Sequence, residues 1–546
     1  MTLATLRRRL SEEGGFTLAL VAGVLVFAAL LGAAAYGAAR GEIGQSGETR
    51  DAKQAYAAAE AGINWYMARL GADNEYWAKC TSVPAVATGV PAPVNAEWAS
   101  GPTDTRTRWR TLTGSTARYA IELLPRPGAS GCSSTTMIDS TGALRIRSTG
   151  LYNGKYRSIV ARLTRVRFLD FLYFTKYETT DPLAYSSSQI ASANTYCADR
   201  YRTARTNGTF ACKEIQFASF DAVRGPLHSN DSLLICGAST FGRTGKEDSV
   251  ETSASTPGFT KPGGSGCSAA PNFQTGFKTG ANPLEMPETN DLLASSAGLT
   301  LRGTNVIVLR NNGTMDVTRV QTGVTTNYAL PANGLVYVDT DTTIGGCSRT
   351  VPPLDVEYGG TNTTSIEPNG CANAYVSGSY NKSVTIASAK DVIVNANLTM
   401  ASGADVLAGL IANNFVRVYH PVTTHSTSNG ACAGDNITSS MLPDARAPYG
   451  PTMAGVRIDA AILSLQHSFT VDSYDCGDAL GNLSVSGAIA QKYRGAVGTS
   501  GGTGYAKDYN YDDRLKYRNP PLFLDPLNAA WKVLRTNEQV PARAPR

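Results

Sequence analysis

Glu12-Glu13-Gly14-Gly15-Phe16-Thr17-Leu18-Ala19-Leu20, continued without a charge through Ala39 to Arg40, is the stretch on which the fold turns. Its uncharged run, Phe16 to Ala39, holds 24 residues. At a helical rise of ~1.5 Å per residue it spans ~36 Å, against a bilayer hydrocarbon core of ~30 Å. Arg7, Arg8 and Arg9 precede it, and an excess of positive charge keeps that end cytoplasmic. The sequence therefore predicts a single-pass, N-in transmembrane helix in a bacterial membrane, with the inner membrane as partner and the rest of the chain at the cell surface. An ordinary secretory signal has a shorter apolar core of ~7–15 residues and a small-residue cut. Ala33-Ala34-Ala35 offers such a cut; that reading and a plain uncleaved anchor stay open on residues alone.

Beyond Arg40 the chain turns polar but carries no proline through Asp73, and Ala55, Ala57, Ala58, Ala59, Glu60 and Ala61 favour helix. Tyr56, Ala59, Ile63 and Met67 recur at spacings of three and four, the signature of one helical face. The helix is expected to continue to residue 70. Gly37, Gly41, Gly44 and Gly47, each costing about 0.5–1 kcal/mol inside a helix, mark where it is expected to bend or melt.

The 546 residues carry 49 basic and 44 acidic side chains, a net charge of +5 too weak and dispersed for a nucleic-acid surface. No nucleic-acid partner is expected. Ten cysteines all follow the apolar run: Cys80, Cys132, Cys197, Cys212, Cys236, Cys267, Cys347, Cys371, Cys432 and Cys476. An even set in an exported chain reads as disulfides. The sequence does not fix their connectivity. Pairing of neighbours is the expectation, because each neighbouring pair brackets a Gly/Ser/Thr-rich stretch. With no Cys-x-x-Cys pair or closely spaced histidines, no metal and no cofactor is expected.

Strand patterns dominate after residue 110. Tyr119, Ile121 and Leu123 alternate with polar neighbours, as do Leu144 and Ile146, and Ile159, Ala161 and Leu163. These imply a small antiparallel sheet on the long helix. From Leu169 to Val497 short apolar runs alternate with turns. The clearest is Asp391 to Met400, where Val392, Val394, Ala396, Leu398 and Met400 point one way and Ile393, Asn395, Asn397 and Thr399 the other, a half-buried strand. Many such strands with Asn or Gly corners suit a sandwich or a parallel β-solenoid, the latter preferred.

Candidate chemistry is sparse. Asp508-Tyr509-Asn510-Tyr511-Asp512-Asp513 opens like a calcium loop, but Asp513 replaces the required Gly and Asn519 the bidentate Glu; a surface strand with aromatic packing is the expectation. His228 reads as a corner residue bonded to backbone. Asp459, Asp472, Asp475 and His467 would serve a polysaccharide-cleaving solenoid if two carboxylates stood ~5–9.5 Å apart; charged corners of strands are the plainer reading. No Gly-x-Ser-x-Gly elbow, phosphate loop or dinucleotide fingerprint is present. No catalytic residue is assigned, and the chain is expected not to be an enzyme.

The leader Glu12 to Leu18 resembles the type III signal of type IV prepilins: a basic polar leader, Gly15 directly before Phe16, and no charge after it. Ala55 to Leu70 is similar to the end of the N-terminal helix in PilX-type minor pilins. Gly487 to Gly495, Tyr511 to Leu515 and Pro520 to Phe523 resemble β-helical exported proteins that share such N-termini. The resemblance implies cleavage after Gly15 by a prepilin peptidase. It also implies a filament and membrane helix using Leu18, Leu20, Val24 and Phe27, contacts with other pilin-like subunits, and an extracellular surface ligand for the displayed domain. Leu20 stands where the family usually carries Glu, which points to a minor, tip-located or assembly-priming subunit. The alternatives are a tip pseudopilin of type II secretion and a membrane-tethered carbohydrate-active β-helix. The implied fold class is mainly β with a long N-terminal transmembrane α-helix, a small pilin-like α+β head and then a parallel β-solenoid-like domain. The expected divisions are 1–15 leader, 16–70 helix, 71–168 head, 169–497 display domain and 498–546 tail.

Overall fold

The computed structural model describes residues 14–72, 76–79, 109–125, 137, 143–205, 208–219, 221–263, 266–344, 347, 350–355, 367–420, 422, 424–425, 432–433, 454–499, 502–516, 518–527 and 531–542. Within 14–19, 37–46, 355, 424–425 and 432–433 only the backbone is described. The chain divides into two compact units, one formed by 1–165 with 530–546 and the other by 166–529.

In the first unit, helix α1 (Gly14–Ala72) runs 59 residues. It does not melt at Gly37, Gly41, Gly44 or Gly47. Beside it lie β1 (Arg110–Thr111), β2 (Arg118–Leu124), β3 (Ala143–Tyr152) and β4 (Lys155–Arg165), with Trp531–Gln539 returning along β4, in the order β1, β2, β3, β4, Trp531–Gln539. Every neighbouring pair is antiparallel. The expected alternation holds in β2 and β4: Tyr119, Ile121, Leu123, Ile159, Ala161 and Leu163 meet Ala59, Ile63, Tyr66 and Leu70 of α1 in one core. Each fully buried aliphatic side chain contributes about 1.5–3 kcal/mol. Small residues let the layers close: a Cβ at Gly62 would stand 2.2 Å from Ser148 Oγ.

The second unit stacks short strands in two ladders. In the first, Leu299, Val336, Ile386, Leu410, Ile462, Ile489, Tyr173, Leu227 and Val250 lie one above another in parallel register. Beside that apolar column runs one that is polar but for Ala412: Ser388, Ala412, Ser464, Gln491, Thr175, Ser229 and Thr252. Its hydroxyls are spent on nearby backbone, on each other and on a buried carboxylate, as with Thr175 Oγ1 on Glu178 and on Ser229 Oγ, and Thr252 Oγ1 on the Asp231 carbonyl at 2.7 Å. In the second ladder Ile307, Val376, Val394, Val418 and Val471 align in the same way. The strand Asp391–Met400 sends Val392, Val394 and Leu398 to the main core, as its alternation indicates. Its other face is buried too near its start, because Ile393 meets a second cluster containing Val306, Tyr375 and Tyr419.

The expected fold class needs correction. Among the described residues no helix is long and apolar enough to cross a membrane. The single-pass N-in membrane localisation and the inner membrane as partner lose their basis with it. Nor do the parallel strands follow chain order. The strand that opens the second unit, β5 (Tyr173–Thr180), is seated between Ala479–Arg494 and Leu227–Ser229. The chain therefore enters mid-stack, builds to one end at Val250–Thr252, restarts at the other end with Leu299–Arg302, and returns to the middle. Asn305–Leu309, Thr314–Arg319 and Val324–Ala329 add an antiparallel meander. Residues 504–511 form a strand of the stack rather than lying outside it.

Candidate functional site

Helix α1 divides into two halves of opposite character. Ala55, Ala59, Ile63, Tyr66 and Leu70 are buried, at spacings of four, four, three and four. Tyr56 and Met67 of the expected stripe are partly buried against the same core. Further toward the N-terminus, Leu20 is 58%, Val24 59% and Phe27 64% exposed, and the side chains from 20 to 36 are bare throughout. Burial of such surface is favourable wherever a partner supplies it. Gly15, Phe16 and Leu18 lie in the same helix, their side chains outside the described set.

Between these halves a recess of about 650 Å³ is lined by Glu48, Lys53, Tyr56, Lys155, Arg157 and Glu538. Lys155 pairs with Glu48 at 3.0 Å and Arg157 with Glu538 at 3.3 Å. Both pairs are solvated and worth about 0–1 kcal/mol.

The acidic residues singled out in the second unit do not converge. Asp472 is held by Arg417 at 3.2 Å, Asp459 by Arg457 at 2.9 Å, and His467 Nδ1 faces Asp181 at 3.0 Å while its ring stacks on Phe415. Asp475 is exposed. Asp459 and Asp472 each serve a separate ion pair. His228 is not a corner residue bonded to backbone. It sits in the strand Leu227–Ser229, with Nδ1 2.9 Å from Glu251 and Nε2 3.0 Å from Asn230, between Phe171 and Phe174. Burial pushes the Glu251 carboxyl up, but hydrogen bonds from His228 and Ser249 outweigh it and the net shift is downward.

The loop-like acids at 508–513 are engaged by cations: Asp508 by Arg224, Asp512 by Arg514, Asp513 by Arg243 and Lys246. Tyr509 and Tyr511 enter the core. Cys347, Glu367 and Cys371 come together, but the two sulfurs are joined in a disulfide, so neither is a thiolate ligand.

Disulfides link Cys197 to Cys212, Cys236 to Cys267 and Cys347 to Cys371, each pair adjacent among the cysteines of the sequence. Cys476 is also disulfide-bonded. Cys80, Cys132 and the side chain of Cys432 lie outside the described residues.

Sequence reading missed the buried ion pairs. Glu178 meets Arg494 at 3.0 Å, with the guanidinium 3.5 Å above the Phe217 ring. Asp231 meets Arg205 at 2.7 Å. Arg417 bridges Asp391 and Asp472. Burial drives the Asp391 carboxyl above its usual range despite Arg417. The Glu178–Arg494 partners stand 316 residues apart, so no local signal announces them.

No family model matches the chain, and no curated protein matches it. Among solved structures it is similar to the crystal structure of the competence-associated pilin ComZ from Thermus thermophilus, at 10% identity and a TM-score of 0.27, over 90% of this chain and 97% of that one. At that degree of superposition and identity the likeness settles neither fold nor role.

Proposed function

We propose that this protein is a minor, pilin-like surface subunit, processed after Gly15 by a prepilin peptidase, that assembles with other pilin-like subunits through α1 and displays the disulfide-bonded β-rich unit. One observation carries the reading: a single unbroken helix whose C-terminal half is packed on an antiparallel sheet while Leu20, Val24 and Phe27 stand bare. Side-by-side packing with copies or relatives of α1 removes that apolar surface from water. Leu20, in place of the carboxylate usual in the resembled family, supports a tip or priming position. The disulfides suit an oxidising compartment. The protein acts by assembly and display rather than catalysis, a reading supported by the separate partners of Asp459, Asp472 and His467. N-terminal sequencing of the mature protein tests it: the first residue is Phe16, and Gly15→Ala abolishes the cut. A mature terminus after Ala35 would overturn it.

A further inference from the structure

The second unit carries a recess of about 450 Å³, within the ~300–1,000 Å³ of small-ligand sites. Six of its lining residues bear hydroxyls: Tyr201, Thr203, Ser232, Ser253, Ser255 and Thr256. Tyr201 is 37% exposed, and its ring packs against Tyr177 at a tilt of 43°, with centroids 5.2 Å apart. The recess thus offers a half-exposed aromatic ring steadied by a neighbouring ring.

The one carboxylate in the wall is already neutralised. Asp231 is buried, meets Arg205 at 2.7 Å, and accepts the backbone N–H groups of Glu178, Arg202 and Ser232. Among the described residues no lysine or arginine lines the space. The turn that forms one side is fixed in advance: Gly258 adopts φ +75°, donates its N–H to the Ser255 carbonyl at 2.8 Å, and leaves only 2.7 Å between an added Cβ and Thr252 or Thr279. Thr256 and Thr279 share a hydroxyl bond of 2.9 Å.

An aromatic face beside many neutral hydroxyls, with no free charge, matches the two surfaces of a pyranose: a C–H face that stacks on a ring, and hydroxyls that both donate and accept. A preformed wall lowers the ordering cost of binding. We propose that this recess binds a neutral oligosaccharide, with Tyr201 as the stacking platform and the exposed Ser255 and Thr256 hydroxyls as the polar edge. The inference is independent of the assembly role of α1, since every lining residue belongs to the second unit.

The test uses the full-length chain with disulfides intact, dispersed in mild detergent, over immobilised neutral hexose and N-acetylhexosamine oligosaccharides, with sialylated and sulfated glycans and flexible peptides alongside. At least one neutral glycan is retained and is competed by the same free sugar. Tyr201→Ala weakens retention by about tenfold or more, Tyr201→Phe keeps it, and Ser255→Trp, filling the recess from an exposed turn, abolishes it. Near-ultraviolet circular dichroism checks folding, and the Ser255→Trp and Tyr201→Phe pair keeps the test decisive if Tyr201→Ala misfolds. Retention of acidic glycans or peptides alone, no retention of any neutral glycan, or unchanged binding by folded Ser255→Trp would overturn the proposal.

Discussion

Gly150 of β3 and Ala55 of α1 are in such close approach that a Cβ added to Gly150 would fall 1.8 Å from the Ala55 carbonyl oxygen. The neighbouring atom is backbone of a helix, which cannot swing aside as a long side chain can. Gly150→Ala must therefore lift α1 from the sheet locally. The expected cost is about 1–3 kcal/mol or more, read as a fall in the unfolding midpoint of the first unit. A change of a few tenths of a kcal/mol would mean that helix and sheet are not in that contact.

Arg417 lies 3.0 Å from Asp391 and 3.2 Å from Asp472, all three buried. Arg417→Met leaves two carboxylates in the interior without that guanidinium, and destabilisation of about 3–5 kcal/mol is expected. The sign of the pH dependence follows from burial, which already raises the Asp391 pKa above its usual range. A carboxyl raised on folding holds its proton better in the folded state, so its contribution is present at low pH and lost as pH rises through the folded pKa. The variant should regain stability between pH 7 and pH ~4, near the free carboxylate pKa. Denaturant melts at the two pH values decide it, and equal losses at both would contradict the ionic account.

Asp513 shows the opposite sign. Hydrogen bonds from Arg243, assisted by Lys246, hold its carboxyl down at about 2 despite partial burial. A depressed carboxylate contributes above the unfolded pKa of ~3.9 and loses that contribution as pH falls through about 2. Arg243→Gln should move the Asp513 midpoint upward toward ~3.9, followed by carboxyl-carbon NMR. A midpoint that stays put would show that Arg243 is not the main cause.

Phe27 and Val24 are bare in the isolated chain, so Phe27→Glu should leave the melting of both units within about 0.5 kcal/mol of the parent. On the assembly proposed for α1, joining with other pilin-like subunits should nevertheless fail, because burying an unpaired carboxylate at a helix interface costs several kcal/mol. Cross-linking yield with partner subunits measures this. Undiminished assembly by Phe27→Glu would remove the bare helix face from the interface.

Much of the local structure was legible in the residues. Ala59 and Ile63 mark the packed face of α1 through the 3.6-residue repeat, and Tyr119, Ile121 and Leu123 mark β2 through a period of two. Both patterns depend only on where successive side chains point. The apolar run from Phe16 predicted a membrane crossing, yet no described helix meets the length and apolarity for one. The glycines at 37, 41, 44 and 47 predicted a break, yet the helix passes through them. Propensity is a weak term of ~1 kcal/mol per glycine, and a long run of helical hydrogen bonds outweighs it.

By itself the sequence determined one long helix, an alternation of short β-strands, and a cysteine set fit for disulfides, because each depends on neighbours along the chain. Only the tertiary structure decided the rest. It seated β5 between strands that lie far from it in sequence, set Arg417 between Asp391 and Asp472, and brought Tyr201 to the turn at 253–259. Those relations arise where distant segments compete for the same core and the same hydrogen-bond partners, a competition settled only when the whole stack closes.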